Sequence, residues 1–360
     1  MSSVTREQVL EQLRTVHDPE LHRDLVSLEM VKHVAVCDGH VKVHVELTTP
    51  ACPLKDTIGR DVTEAVKRIA GVSSVEIEWS ARVRPSRPTQ ARLPGVKNII
   101  AVGAGKGGVG KSTAAVLLAV GLQRKGAEVG LMDADVYGPS VPKLMGVENA
   151  KPSVRGEQIL PIVQHDIKLI SMGFMVDRQQ AVIWRGPMVH GVVRQFLDQV
   201  DWGELDYLIV DLPPGTGDVP LTLAQSIPMT GAVVVCTPQD VAMLDATRAV
   251  LMYQKLNIPC LGMIENMSYF LCPHCGERTD IFDHGGVQRG AEQLGVPFLG
   301  SIPLNVQIRL HGDAGTPGLC FTSGDEHVRR SIEDVVGALA GRISVKNLVQ
   351  VSAPTLTIER

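Results

Sequence analysis

The sequence predicts an α/β architecture: a mostly parallel sheet wrapped by helices, preceded by a small α+β domain. Three observations carry this expectation. From Lys97 onward, short runs of almost purely apolar residues alternate with helical stretches, as in strands covered on both faces. A glycine-rich loop stands between one such run and a helical stretch. Before Lys97 the periodicity is that of half-buried elements, which marks a separate and thinner unit.

Residues 1–80 form that unit. Val9, Leu10, Leu13 and Val16 recur at helical spacing. After the Asp38-Gly39 turn, Val41, Val43, Val45 and Leu47 alternate with Lys42, His44 and Glu46, the pattern of a strand with one wet face. Leu54, Ile58, Val62, Val66 and Ile69 line a second helix, and residues Val72 to Trp79 close the unit as a strand. The order is α-β-β-α-β. Residues 81–96 carry Pro85, Pro88 and Pro94 with Arg82, Arg84, Arg87 and Arg92 and no acidic residue. A solvated basic linker is expected there. Residues 97–343 form the larger domain. Its candidate strands are Asn98–Gly103, Val129–Asp133, Lys168–Ser171, Tyr207–Asp211, Ala232–Cys236, Cys260–Glu265 and Phe298–Ile302. Residues 344–360 read as a short tail.

Charge narrows the choice of partners. With 35 basic against 39 acidic side chains, the formal charge of −4 offers no bulk attraction to DNA or anionic lipid. Neither a nucleic acid nor a membrane is expected as a partner. The longest apolar stretch, Ala114 to Leu122, is far short of the roughly 20 residues of a spanning helix. Glu7 and Glu11 stand where a targeting peptide would be basic and apolar. Seven cysteines, an odd number, read as reduced thiols, and the expected location is cytoplasmic.

Gly105, Lys106, Gly107, Gly108, Val109, Gly110, Lys111 and Ser112 fit the pattern G-x-x-x-x-G-K-S/T, and Thr113 follows. The loop leaves the apolar run Ile99–Val102 and opens the helical run Ala114–Leu122, the context a phosphate-binding loop needs. Glycines let backbone N–H groups close around phosphate oxygens. The helix start adds positive potential, Lys111 neutralises phosphate charge and Ser112 ligates Mg²⁺. ATP with Mg²⁺ is therefore the expected ligand. Lys106 lies too early in the turn to duplicate Lys111. Asp211 ends an apolar strand and precedes the loop Leu212-Pro213-Pro214-Gly215-Thr216-Gly217, a position suited to a Mg²⁺-bound water. Asp133 reads as structural or as a more distant Mg²⁺ partner. Asn266, expected just past its strand, is a candidate partner for adenine.

Cys272 and Cys275, with Pro273 and His274 between them, form the one C-x-x-C of the chain. Two thiolates at this spacing can hold one edge of an iron–sulfur cluster or half of a zinc site, or act as a redox dithiol. Both metal centres usually take four protein ligands, so a two-fold dimer would supply the missing pair. The nucleotide edge of the sheet is their expected place.

These motifs together resemble a known family. The two-lysine loop is similar to the deviant Walker A loop of the MinD/ParA class, in which the lysine at position 106 would reach across a dimer to the partner's nucleotide and Asp135 would orient the attacking water. Gly105–Thr113, Asp133–Ser140, Asp211–Gly217, Glu265–Ser268 and Cys272–Cys275 resemble the Mrp/ApbC iron–sulfur cluster carrier ATPases. Residues 1–80 resemble the small iron–sulfur assembly domain related to SufT and PaaD, through Asp18-Pro19-Glu20, Asp24-Leu25-Val26 and Leu47–Pro53. The resemblance implies a homodimeric ATPase that holds a bridging iron–sulfur cluster, most simply 4Fe-4S. It would pass that cluster to apo-proteins in concert with the assembly machinery. It also makes Cys52 an accessory thiol, whose pKa a helix N-terminus would lower. The rival reading is a positioning ATPase of the MinD or ParA kind, but Glu326–Arg342 has mixed charge and the last eighteen residues have no basic face.

Overall fold

A computed structural model of the chain describes residues 4–86, 93–175 and 186–352. The chain divides into two compact units: the residues up to Arg84 together with those from Ala340, and Pro85–Leu339.

In the first unit, α1 (Arg6–Leu13) starts at a reciprocal cap. Thr5 Oγ accepts from the Gln8 N–H, and Gln8 Oε1 accepts from the Thr5 N–H. Two short bridging strands, β1 (His17–Asp18) and β2 (Arg23–Asp24), lead into β3 (Val31–Cys37) and β4 (His40–Leu47). The tight hairpin between β3 and β4 needs positive φ at both turn residues, and Asp38 (φ 48) and Gly39 (φ 80) supply it. Helix α2 (Lys55–Lys67) crosses over so that β5 (Ser74–Ala81) lies parallel to β4. Val9, Leu13, Val43, Val45, Ile58 and Val62 fill the core between helices and sheet.

The second unit is built on a nine-stranded sheet. Its parallel part runs β11 (Ile167–Ser171), β7 (Val129–Asp133), β12 (Leu205–Asp211), β6 (Val96–Gly103), β13 (Gly231–Cys236), β14 (Cys260–Leu271) and β16 (Phe298–Leu304). Antiparallel β10 (Ile162–Gln164) pairs with β11, and β15 (Arg278–Thr279) with β14. A separate hairpin joins β8 (Ser153–Arg155) to β9 (Gln158–Leu160). The helices are α3 (Lys111–Arg124), the short α4 (Val141–Leu144), α5 (Gly186–Gln199), α6 (Asp218–Ser226), α7 (Asp240–Lys255), α8 (Gly286–Leu294), α9 (Val306–Asp313) and α10 (Glu326–Ser352). Residues Ile99, Ile100, Leu208, Ile209, Val233 and Val234 are fully buried, as expected of strands covered on both faces. No helix among the described residues is long and apolar enough to cross a membrane.

The structure corrects the sequence expectations in three places. Residues 344–352 are helical: α10 continues because Ile343 and Asn347 extend its buried stripe beyond Leu339. Only 353–360 of the expected tail lie outside the described residues. The expected linker is not solvated throughout. Val83 is buried, the Arg84 carbonyl accepts from Asn347 Nδ2 at 2.9 Å, and the Ser86 N–H reaches the Lys97 carbonyl at 2.8 Å; Arg87, Pro88 and Arg92 lie outside the described residues. Finally, β14 runs through Asn266 to Leu271, so Asn266 is inside the strand. Its polar residues are tolerated there because each finds a buried partner, as described below.

Candidate functional site

The parallel strands end along one edge, where loops from several strands converge. The loop after β6 reaches α3 through Gly108 (φ +82) and Gly110 (φ +81), a backbone region that only glycine enters freely. A β-carbon at Gly107 or Gly108 would meet nothing within 4 Å, so the loop borders open space of the kind a phosphate fills. At Gly105 the reverse holds: a β-carbon would lie 2.2 Å from the Asp245 carbonyl carbon, so the loop backbone packs directly on α7.

Lys111 is only 6% exposed. Its Nζ lies 2.6 Å from Asp211 Oδ1, 3.2 Å from Asp135 Oδ2 and 3.2 Å from Ser112 Oγ. Burial alone would lower its pKa, but the Asp211 and Asp135 carboxylates outweigh burial and raise it. Ser112 Oγ donates to Asp211 Oδ2 at 2.5 Å. A hydroxyl and a carboxylate thus converge beside the phosphate loop, the hard-oxygen donor set that suits Mg²⁺.

Asp133 stands opposite Asp211 in the register of β7 and β12. It accepts from the Asp135 N–H at 3.1 Å, the Val141 N–H at 3.3 Å and Ser171 Oγ at 2.8 Å. Burial, with the Asp211 charge beside it, pushes its pKa up to about 8. It holds the loop that presents Asp135. Asp135 in turn accepts from the Tyr137 N–H at 3.1 Å.

Lys106 is half-buried and makes no hydrogen bond or ion pair among the described residues. Its charge acts on the Cys236 thiol at the end of β13, which burial nonetheless pushes up to about 12. Val109 is buried, and its carbonyl accepts from Asn266 Nδ2 at 2.8 Å. The amide expected to meet adenine is therefore bound to the loop itself. Asn266 also lines a cavity of about 350 Å³ with Gly110, Thr113, Pro303, Asn305 and Arg309. Sequence reading missed the wall that β16 and α9 supply. The one available signal was position, since Pro303 to Asn305 follow a parallel strand at its carboxyl end.

Cys272 and Cys275 occupy the turn of the β14–β15 hairpin, closed by Cys272 N–H to the Glu277 carbonyl (2.9 Å) and Gly276 N–H to the Cys272 carbonyl (2.8 Å). The backbone N–H of Cys275, then that of His274, then the Cys275 thiol hold the Cys272 pKa below its ordinary value. Cys275 and His274 are exposed. Among the described residues, no group of three or more His, Cys, Asp or Glu side chains is placed to hold a metal. The turn is anchored further back. Glu265, fully buried in β14, accepts from the Ser268 hydroxyl and from the N–H groups of Gly285 and Val287, both at 2.9 Å, at the start of α8.

In the first unit, Cys52 departs from expectation. Burial raises its pKa to about 11, aided by the Asp18 and Glu20 carboxylates, and the N–H groups of Leu54 and Lys55 do not compensate.

A phosphate loop between β6 and α3, a buried lysine and an aspartate at the end of the neighbouring strand define a P-loop nucleotide-binding protein. Comparison with known proteins narrows the class. Residues 95–340 match the ParA family model described as NUBPL iron-transfer P-loop NTPase, and residues 6–79 match one described as iron-sulfur cluster assembly protein. The chain is 47% identical to an iron-sulfur cluster carrier protein of Synechocystis, covering 96% of this chain and 100% of that one. It is 41% identical to the Escherichia coli K12 protein of the same name, over 92% of each. A solved nucleotide-binding protein from Archaeoglobus fulgidus, in complex with ADP, superposes with a TM-score of 0.58 at 40% identity, over 64% of this chain and 91% of that one. The chain belongs to the iron-transfer P-loop NTPase family, with the iron–sulfur assembly domain ahead of it.

Proposed function

We propose that the chain is an iron–sulfur cluster carrier that binds and hydrolyses MgATP as a homodimer. One 4Fe-4S cluster is the cargo, held between the Cys272 and Cys275 thiolates of two copies and handed to apo-proteins in the reducing cytoplasm. The observation that carries this reading is the pairing of a phosphate-binding nucleotide site with a two-thiol half-site on one sheet. β14 contributes to both, through Asn266 and through the turn that follows Leu271.

The phosphates of ATP lie against the Gly105–Gly110 loop, and Lys111 leaves its carboxylate partners to bind them. The base fits the cavity beside Thr113, Asn266 and Arg309. Ser112 and Asp211 would hold Mg²⁺, which neutralises phosphate charge when bound. Asp135, held by the Tyr137 N–H, orients a water on the γ-phosphorus. The water oxygen forms the new P–O bond as the β,γ-bridging bond breaks; ADP and inorganic phosphate leave, and a proton passes to solvent. Lys106 of each copy stabilises the charge developing on the other's phosphates.

Iron, labile sulfide and zinc in chain purified without oxygen test this reading, together with the visible spectrum and the sedimenting mass. Four irons and four sulfides per dimer are expected. Stoichiometric zinc without sulfide would overturn the cargo.

A further inference from the structure

Helix α7 turns two different faces outward and inward. Ala242, Ala246, Ala249, Val250 and Tyr253 are buried toward the sheet. On the other side, Val241 is 66% exposed, Leu244 65% and Leu251 44%. With Arg248 and Lys255, these residues recur at 241, 244, 248, 251 and 255. Alternating steps of three and four are the spacing of a two-helix seam, in which each side chain enters a gap on a facing helix. Among the described residues these three aliphatic side chains stay exposed along one helix face, an apolar line of the kind that marks an interaction surface.

Resting on the homodimer reading above, we propose that this face of α7 is the dimer seam, and that its occupant is α7 of a second copy, antiparallel to the first. The charge order of the helix argues for this occupant. The acidic residues Asp240 and Asp245 lie toward its N-terminus and the basic Arg248 and Lys255 toward its C-terminus. An antiparallel copy centred near Arg248 sets Leu244 against Leu251 of the partner subunit and Asp240 against Lys255 of the partner subunit. Helix dipoles oppose favourably in the same arrangement. The two Arg248 side chains meet at the axis, where each carries its own counter-charge: Nη1 is 3.0 Å from Asp245 Oδ1. A parallel copy would set like charges together along the whole seam.

The seam is also tied to the nucleotide site. The Gly105 backbone packs on Asp245 and Ala246 in the middle of α7. Lys106, without an ionic partner among the described residues, emerges next to this contact. Pairing α7 with its copy therefore brings two phosphate loops to one interface.

Sedimentation equilibrium of the intact chain with MgATP and reconstituted cluster tests the seam. Leu244→Glu and Leu251→Glu are each expected to weaken the dimer about a hundredfold, since each places two carboxylates in the apolar line. ATP binding to the separated subunits should stay within about twofold, which reports an intact fold. Asp240→Lys and Lys255→Asp are each expected to weaken the dimer about tenfold, and the double variant to recover most of the loss. A dimer indifferent to both leucine substitutions overturns the seam and leaves the homodimer standing. A double charge variant no tighter than either single one overturns the antiparallel order. A wild-type chain that sediments as a monomer with nucleotide and cluster overturns the homodimer reading, and the seam with it.

Discussion

At the start of α3, Lys111 is held between Asp211 and Asp135 with almost no exposure, and every group around it has a partner within the chain. At the end of β14, Cys275 stands in solvent, and among the described residues the Cys272 thiol is met by two backbone N–H groups and the neighbouring thiol. The nucleotide site is preorganised by burial, so changes there cost stability as well as activity. The two thiols are held only by their turn among the described residues, so changes there are expected to leave stability unaltered. A site whose charges already balance can hold its nucleotide within one chain, and on the proposed reading takes only the Lys106 charge from a second copy for hydrolysis. Two thiols are half of the four ligands an iron–sulfur cluster usually takes, so on the proposed reading the second site is completed by association.

The largest expected effect is at Lys111. Lys111→Ala should lower ATP hydrolysis about a thousandfold. It should also destabilise the chain by about 3–5 kcal/mol, because Asp211 and Asp135 lose their buried counter-charge. Turnover assays and denaturant unfolding measure the two losses, and a variant of unchanged stability would break the contrast. Cys272→Ala should reduce bound iron to background while ATP affinity stays within about twofold. Loss of nucleotide binding in that variant would mean the two sites are one.

Asn266→Ala sharpens the comparison because Asn266 sits on the strand common to both sites. Losing its bond to the Val109 carbonyl should cost about 1 kcal/mol of loop order, seen as roughly fivefold weaker ATP binding by calorimetry, with iron content unchanged. The smallest effect separates the thiols themselves. The thiolate is the species that reacts, so a lowered pKa brings alkylation to lower pH. In cluster-free protein, mass spectrometry should show Cys272 alkylated with a midpoint below the ordinary 9.0, and Cys52 only near 11. Equal midpoints would remove the distinction.

The phosphate loop was legible because its chemistry is consecutive: glycines, two lysines and a serine within eight positions, between an apolar strand and a helix. The parallel sheet was legible for a similar reason, since strands such as Ile99–Val102 and Val233–Val235 are apolar without interruption. Features set by distant partners were not. The Asn266 amide meets a carbonyl 157 residues away. Glu265 looks like the end of a strand until the start of α8 supplies its partners. The helix start beside Cys52 favours a low pKa, yet burial and two carboxylates from a different segment decide the direction. The cavity wall from Pro303 to Asp313 carries no motif at all, because shape rather than residue type makes it.

The absence of a side chain at Gly105 leaves main chain resting on main chain, with nothing compressible between the loop and α7. Flexible side chains at such a junction would damp small displacements. Here a shift of the loop as it grips a nucleotide's phosphates would be passed on to the helix behind it.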